Sequence, residues 1–303
     1  MSDLLILFSN NILPIFLAAG SGYLLAKILK LSPRPVSQIA FYIFSPCLIF
    51  NLLTTSKLSG QDITRMAGFA TASILILGGI TWLLGRLFRL ERRLLVAVLL
   101  TSMFGNSGNY GLSLNLFAFD EAALAHASVY FATMAILVYT VGVIIASLGT
   151  SSPKAAMLSL LKVPAIYAVA LAFLFNSFEW QLPLAIDRTV SLLGNAAIPM
   201  LMVLMGIQLA YARWNGQTSA LTIANSMRLL AGPALALGLA VIFGLHGAAW
   251  QAGVSESAMP TAVTTTVLAT EYNVEPSFVS TVVVISTLLS PITVTPILAY
   301  LGA

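Results

Sequence analysis

Charged residues are scarce in this chain, and that scarcity excludes most soluble folds. Asp, Glu, Lys and Arg together make up 8% of its 303 residues, whereas about 25% is usual for a soluble domain. Hydrophobic residues account for 59%, and the mean hydropathy is +0.96. Water cannot solvate a surface of this composition, so we expect the lipid bilayer to surround most of the chain.

Cysteine and histidine are almost absent as well. The single cysteine, Cys47, cannot form a disulfide within the chain, and the two histidines form no His-Glu-x-x-His metal motif. The net charge of +4 comes from basic residues in short loops, so we expect no nucleic-acid partner. The alternating pattern of an outer-membrane barrel is also missing. These absences favour an all-α membrane protein that is not an enzyme and carries no cofactor.

Long apolar stretches dominate what the sequence does contain. A helix needs about 20 apolar residues to cross a bilayer, and ten stretches of about that length are present. The predicted spans are 4–29, 36–55, 63–88, 94–117, 122–148, 155–175, 184–211, 220–243, 248–270 and 277–301. The segments between them are too short for a separate domain, so residues 1–303 are predicted to form a single transmembrane unit.

Lysine and arginine are distributed unevenly between the two sides of these spans. One side carries Lys27, Lys30, Arg34, Arg86, Arg89, Arg92, Arg93, Lys154, Lys162 and Arg213. The other side carries only Lys57, Arg65 and Arg188. An excess of basic residues in short loops marks the cytoplasmic side. We therefore predict a multi-pass protein of the plasma membrane with both termini outside the cytoplasm.

The second half of the chain echoes the first at a separation of 150 to 154 residues. The matched pairs are Pro14 and Pro164, Pro46 and Pro199, and Asn106 and Pro260. A near-constant separation indicates two repeats of five helices, at 1–150 and 151–303. Because five is odd, the second repeat enters the membrane inverted, which is a common architecture of secondary transporters.

Two of the predicted spans contain residues that do not suit a lipid-facing helix. The fourth has three glycines and two asparagines within 105–111, and the ninth has Glu256 and Pro260. Glycine and proline weaken helices, and an asparagine amide needs partners that lipid lacks. We predict two discontinuous helices that cross near the membrane centre, with half-helix N-termini suited to a carboxylate. The alternative is two kinked helices packed through small residues.

Several segments resemble those of a known family. Residues 105–112, Gly-Asn-Ser-Gly-Asn-Tyr-Gly-Leu, are similar to the Gly-Asn-Thr-Gly-Asn-Leu-Gly-Leu pattern of the auxin efflux carrier family. Residues 258–262, Ala-Met-Pro-Thr-Ala, resemble its proline motif. Further similar segments, which extend the likeness over nearly the whole chain, lie at 45–50, 227–233, 271–276, 280–283 and 290–293. The chain departs from the pattern at Ser113, where many relatives have proline.

This resemblance implies a fold like that of the bile-acid sodium symporters. Spans one, two, six and seven would form a scaffold, and spans three to five and eight to ten a transport unit in which the broken spans four and nine cross. It also implies elevator-type symport of an organic anion. The short loop after the fifth span implies a bacterial-type member, in the inner membrane. Bacterial relatives are linked to malate or malonate, and the choice among these, an auxin-like acid and another carboxylate stays open.

Candidate site residues follow from the two interruptions and from the scaffold. The candidates for substrate binding are Asn106, Ser107, Gly108, Asn109, Met259, Pro260, Thr261 and Asn51. For Asn51, as for Gln208, a helix–helix hydrogen bond is the alternative. Arg228 could balance an anionic substrate, but we expect it to extend toward the headgroups. His126 and His246 are expected near the outer surface.

Glu256 is the only carboxylate predicted well inside a span, since Asp187 lies at the outer end of the seventh. A charge there costs about 2.5–3.5 kcal/mol on insertion scales, so Glu256 is expected either to have a function or to be neutral. Its position resembles a sodium-binding glutamate of the bile-acid sodium symporters, which makes Glu256, as a possible Na⁺ ligand, and Ser257 the candidate ion-coupling residues. Coupling to Na⁺, coupling to H⁺ and no coupling stay open.

Other functions on the same fold are a channel or a receptor that does not transport. Gly105-Asn106-Ser107-Gly108 also fits the Gly-x-Ser-Gly pattern of intramembrane serine proteases. That function requires a base within hydrogen-bond reach of Ser107, whereas both histidines are expected near the outer surface. The expected partners are a small organic acid and lipid, and a homodimer is left open.

The basic-loop bias predicts that the loop at 86–93 is cytoplasmic. A cysteine placed in this loop of a Cys47→Ser variant should resist an impermeant thiol reagent in intact cells and react in inverted vesicles. Reaction in intact cells would refute this orientation.

Overall fold

A computed structural model describes residues 2–55, 58–147, 164–211 and 217–303. Every regular element in these ranges is helical, so the all-α prediction is confirmed. Seven of the described helices are long and apolar enough to cross a membrane. They coincide with the first, second, third, fifth, seventh, eighth and tenth predicted spans. A multi-pass membrane protein is the architecture that such helices require.

The described helices are numbered α1 to α12 in chain order. Their bounds are α1 Asp3–Leu29, α2 Pro33–Thr55, α3 Gly60–Leu87, α4 Arg92–Met103, α5 Leu112–Ala118, α6 Glu121–Ala146, α7 Pro164–Ser177, α8 Leu184–Leu209, α9 Thr218–Ile242, α10 Gly247–Ser257, α11 Thr264–Glu271 and α12 Pro276–Leu301. A π-helical turn, Ser107–Gly111, leads directly into α5.

The other three predicted spans differ from single long helices. The fourth span is divided into α4 and α5, and the ninth into α10 and α11. Part of the sixth span, 155–163, and the end of the fifth lie outside the described residues, and so do the repeat boundary at 150/151 and Lys57, Lys154, Lys162 and Arg213. The arrangement of ten helices as an inverted repeat stays a prediction.

Helices α1, α2, α7 and α8 pack against one another and form one side of the molecule. The contact between α1 and α8 depends on glycine. A Cβ atom on Gly22 would overlap the Val203 carbonyl, and one on Gly206 would overlap the Ala19 carbonyl. Without a driving force from water, membrane helices associate through such close backbone approach. These four helices are called the scaffold group below.

Helices α3 to α6 and α9 to α12 pack together on the other side. They are called the mobile group below, after the movement proposed for them under Proposed function. Phe69 of α3 lies at its centre, with ring centroids 6.1 Å from Phe243 and 6.3 Å from Tyr130. The two groups meet where α8 packs against the turn at 107–111 and where α2 packs against α6. The interrupted helices therefore lie beside the scaffold group.

The glycine contact predicts a stability difference between two substitutions. Gly206→Ala should destabilise the protein by about 1–3 kcal/mol, because the added methyl group overlaps the α1 backbone and forces the helices apart. Gly20→Ala is the matched control, since no atom lies within 4 Å of a Cβ at that position. Thermal unfolding in detergent should show a lower midpoint for Gly206→Ala alone. Equal midpoints for the two variants would contradict the packing.

Candidate functional site

The backbone segments that interrupt the fourth and ninth spans cross each other. Gly105 and Thr261 form an antiparallel bridge. The Asn106 N–H donates to the Pro260 carbonyl at 2.6 Å, and the Ala262 N–H donates to the Phe104 carbonyl at 2.9 Å. Backbone groups that leave a helix inside a membrane need partners from protein, and each break supplies them for the other. The segments 104–106 and 260–262 are called the crossover below.

The turn that follows the crossover begins a new half-helix. The Asn106 carbonyl accepts the N–H groups of Tyr110 at 3.2 Å and Gly111 at 3.0 Å. The N–H groups of Ser107, Gly108 and Asn109 have no carbonyl within their own helix to which they could donate, as at every helix start. They give this end a partial positive charge.

Not every N–H group near the breaks is available to a ligand. The Asn106 N–H is used within the crossover, and the Thr261 N–H donates to Ser286 Oγ at 3.1 Å. Thr261 is fully buried, and its own hydroxyl donates to the Thr101 carbonyl at 2.8 Å. Thr261 thus holds the crossover in place. The donors predicted from the sequence therefore exclude Asn106 and Thr261 and include the first turn after Asn106.

The side chains of Asn106 and Asn109 face the scaffold group. Asn106 Nδ2 lies 3.5 Å from the sulfur of Met205, and Asn109 Nδ2 donates to Gln208 Oε1 at 3.2 Å. Gln208 in turn donates to Ser37 Oγ at 3.2 Å. Two of the predicted substrate ligands therefore sit at the boundary between the two helix groups.

The remaining predicted substrate residues divide between the crossover and the scaffold group. Met259 and Gly108 are buried beside the crossover, and a Cβ on Gly108 would press on the ring of Phe131. Asn51 accepts a hydrogen bond from the Ser191 hydroxyl at 3.3 Å, between α2 and α8. The hydrogen bonds of Asn51 thus belong to the scaffold group and do not join it to the crossover.

Glu256 lies fully buried in a cluster of polar side chains from α10, from α5 and from the turn before α5. Asn115 Nδ2 donates to Glu256 Oε1 at 3.1 Å and to the Gly111 carbonyl at 2.9 Å. The Ser255 hydroxyl donates to Asn115 Oδ1 at 3.0 Å. Gly111 has no side chain where one would overlap both carboxylate oxygens of Glu256. The cluster thus connects the two interrupted spans.

Two buried oxygens in this cluster lack a hydrogen-bond partner. Ser107 Oγ lies beside the Glu256 carboxylate, yet neither it nor Glu256 Oε2 has a partner of hydrogen-bond geometry. Unsatisfied buried polar atoms are rare in proteins and call for a bound species or a function. A carboxylate, a hydroxyl and an amide oxygen are hard oxygen donors of the kind that bind alkali and alkaline-earth cations. In the described part of the chain, no group of three His, Cys, Asp or Glu residues forms a metal site.

Ser257, the other predicted ion-coupling residue, belongs to a neighbouring network. Its hydroxyl lies 3.2 Å from the Tyr130 hydroxyl. Its carbonyl accepts a hydrogen bond from the Arg228 guanidinium. The structure thus separates Ser257 from the cluster around Glu256, although the two residues are adjacent in sequence.

The prediction that Arg228 extends to the headgroups is wrong. Its side chain is only 2% exposed and points into the mobile group. Arg228 Nη1 donates to the carbonyls of Ser102 and Met103, both at 3.1 Å, while Nη2 donates to the carbonyl of Ser257. The last carbonyls of a helix have no partner within it. These carbonyls accept hydrogen bonds that offset the energetic cost of burying the guanidinium.

A cavity of about 540 Å³ lies away from the crossover, between α2 and the ends of helices in the mobile group. Asp62, Arg65, Glu121, His126 and His246 are among the residues that line it. Both histidines lie at this cavity, and the Ser107 hydroxyl has no hydrogen-bond partner in the described structure. Neither histidine is therefore placed to act as a base for Ser107. A Ser–His protease site is therefore not formed.

Sequence reasoning missed Asn115, Ser286 and Tyr130, which hold Glu256, Thr261 and Ser257 respectively. Asn115 had a detectable signal, since an amide within the apolar stretch 112–118 needs a buried partner. Serine and tyrosine are tolerated widely in membrane helices, so Ser286 and Tyr130 carried no comparable signal.

Comparisons with known proteins agree with this architecture. A model of the family described as "Membrane transport protein" matches residues 7–155 and 150–298. An uncharacterized transporter of Methanothermobacter thermautotrophicus is 24% identical over 287 residues, which cover 93% of this chain and 94% of that protein. An uncharacterized transporter of Methanocaldococcus jannaschii is 27% identical over 84% of this chain and 85% of its own length.

A plant protein is similar over a shorter stretch. Auxin efflux carrier component 3a of Oryza sativa subsp. japonica is 30% identical over 141 residues, which cover 44% of this chain and 23% of that protein. The family model covers nearly the whole chain, and the resemblance found in the sequence is confirmed. The chain belongs to the membrane transport protein family that includes the auxin efflux carriers, and it is a transmembrane transporter.

Proposed function

We propose that the protein is a secondary transporter that carries a small organic anion, a carboxylate, across the bacterial inner membrane. The observation that carries this proposal is the crossover, where two interrupted helices pair reciprocally beside the scaffold group. Transporters built from repeats bind their substrates at discontinuous helices of this kind. The substrate site comprises the turn at 106–109 and the adjoining residues 259–261.

The chemistry of the donors on this face favours an anion. The first N–H groups of the half-helix at Ser107–Gly111 carry a partial positive charge. The amide groups of Asn106 and Asn109 add donors beside them, and their present partners are a thioether sulfur and a neutral amide oxygen. A carboxylate would be a stronger acceptor than either. The site can therefore exchange weak protein contacts for charge-assisted ones.

An elevator-type mechanism, with the mobile group moving against the scaffold group, fits the interface between them. The hydrogen bond that crosses it, from Asn109 to Gln208, joins two neutral amides and is 3.2 Å long. A neutral hydrogen bond contributes about 0.5–1.5 kcal/mol net, so such contacts can be broken and remade during transport. The two segments of the crossover pair antiparallel, and each donates one backbone hydrogen bond to the other. A two-fold axis in the membrane plane would generate such a pairing, which favours two inverted repeats.

Glu256 is proposed as the coupling residue, through Na⁺ or H⁺. It is the one carboxylate buried in the described mobile group, and its Oε2 atom and the nearby Ser107 hydroxyl have no hydrogen-bond partner. Ser107 belongs to the same turn as the substrate donors. A cation or proton at Glu256 would therefore act on the substrate site through a single turn of backbone.

A channel or a receptor without transport activity on the same fold is the rival function. Uphill accumulation of a radiolabelled carboxylate in proteoliposomes, driven by an imposed Na⁺ or H⁺ gradient, separates a coupled carrier from both. A carrier accumulates substrate above the external concentration, whereas a channel only equilibrates it and a receptor does neither.

Asn106→Leu should abolish substrate binding in a folded protein. The substitution removes the amide donor at the crossover and keeps the backbone N–H that bonds Pro260. The measurement is thermal stabilisation by a panel of mono- and dicarboxylates, because a ligand that binds the folded state raises its apparent stability. We expect at least a tenfold loss of affinity, equivalent to about 1.4 kcal/mol.

Asn176→Leu is the matched control for this variant. It removes an amide that donates to the Leu53 carbonyl within the scaffold group, at 2.9 Å. This control should bind the panel as the wild type does. Normal binding by Asn106→Leu would exclude the crossover as the substrate site.

Glu256→Gln should remove the dependence of transport on the coupling ion and preserve the fold, because glutamine keeps an acceptor for Asn115 but has no negative charge. Uptake into proteoliposomes is measured across a range of Na⁺ concentration and pH. Glu271→Gln, which changes an exposed carboxylate, is the control and should behave as the wild type. Unchanged uphill uptake by Glu256→Gln, with unchanged ion and pH dependence, would leave Glu256 with a structural role only.

A further inference from the structure

Four helix ends meet around the crossover, and their partial charges oppose one another. Helices α4 and α10 end there, and the half-helices at Ser107–Ala118 and Thr264–Glu271 begin there. Each helix N-terminus carries about +0.5 of an elementary charge and each C-terminus about −0.5. The four ends therefore nearly cancel, and helix dipoles alone would give the crossover little preference for an anion over a cation.

Arg228 lies at both negative ends. One guanidinium nitrogen bonds the Ser102 and Met103 carbonyls at the end of α4, and another bonds the Ser257 carbonyl at the end of α10. One full positive charge thus faces two helix ends that together carry about −1. The two positive half-helix ends are left without an equal opposing charge.

We propose that Arg228 determines the anion preference of the crossover by neutralising the negative C-termini of α4 and α10. This inference deepens the proposed function and rests on it, since it names the residue that gives the substrate site its charge preference. Arg228 is a positioning and specificity residue in this scheme and does not touch the substrate.

The shape of the guanidinium explains why arginine occupies this place. Its planar group presents several donors in a fixed fork, so a single side chain can bond carbonyls from two helices at once. Gly232 leaves room for it, because a Cβ there would lie only 3.1 Å from Arg228 Nη2. Arg228 also lies in a π-helical turn, Met227–Ala231, of α9. Such turns are rare and occur often at functional sites.

Glu256 completes the charge balance. Arg228 and Glu256 are both buried in the mobile group and attract each other, although Arg228 donates to backbone carbonyls and Asn115 holds the carboxylate. With Glu256 ionised, its charge offsets that of Arg228. Neutralising Glu256 by a cation or a proton leaves the crossover positive, so ion binding and anion binding would favour each other.

The test measures the electrostatic potential at the crossover without using a substrate. Asn109→Cys in a Cys47→Ser background places a single thiol on the half-helix end. Its modification rates are measured with an anionic and a cationic methanethiosulfonate, the sulfonatoethyl and trimethylammonioethyl reagents. The ratio of the two rates reports the sign of the local potential and cancels the intrinsic reactivity of the thiol.

The proposal predicts that the anionic reagent reacts faster when Arg228 is present. Arg228→Gln should lower the anion-to-cation rate ratio about tenfold or more, because a unit charge is removed from a site of low dielectric. Arg228→Lys, which keeps the charge and loses the fork, should retain most of the ratio. Arg65→Gln is the control for a change in net charge, and it should leave the ratio within about twofold, since Arg65 lies at the separate cavity.

Glu256→Gln is the second variant if Arg228→Gln does not fold. Under conditions in which Glu256 is ionised, removing its charge should raise the same ratio. A ratio that is unchanged in both variants would overturn the proposal, and so would a thiol at 109 that reacts with neither reagent. The result is independent of the substrate assay. Normal binding by Asn106→Leu together with a ratio that falls in Arg228→Gln would reject the substrate site and keep the electrostatic role of Arg228.

Discussion

Backbone pairing at the crossover is the interaction on which the rest of the site depends. A helix that stops inside an apolar layer exposes N–H and carbonyl groups, and each unsatisfied group costs several kcal/mol there. Asn106 and Pro260 on one side, and Phe104 and Ala262 on the other, remove part of that cost from both breaks at once. Neither break is stable without the other, so the site requires that the two halves of the chain fold against each other.

Glycine residues let polar side chains pack closely against the backbone around the crossover, so that no open cavity is left there. Gly111 lets the carboxylate of Glu256 rest on the backbone of the opposite span, and Gly232 leaves room for Arg228. The same principle holds the scaffold group together at Gly22 and Gly206. In lipid, hydrophobic burial does not drive helix association, so close packing at small residues is the main source of tight contact between helices.

The two buried charges have different partners, and this difference separates their functions. Both terminal nitrogens of Arg228 donate to backbone carbonyls of the kind that every helix end presents, so its place is determined by where α4 and α10 stop. Glu256 is held through one oxygen by Asn115, and its other oxygen is without a partner. Arg228, held by three carbonyls with only its Nε atom unbonded, is suited to a permanent role, and Glu256, held through one oxygen, is suited to a variable one.

The sequence by itself determined the membrane environment, most of the spans and the location of the two breaks. These follow from local composition, because an apolar stretch of fixed length, a glycine cluster or a proline acts on its own helix. Only the tertiary structure decided what the polar residues do. Asn115 and Glu256 are 141 positions apart, and Arg228 contacts carbonyls 125 and 126 positions away. Hydropathy assigned Arg228 to the headgroups because it measures the cost of a charge in lipid. Hydropathy does not show that another helix ends beside that charge. The position of that helix end depends on three-dimensional packing, and the residues around Arg228 do not indicate it.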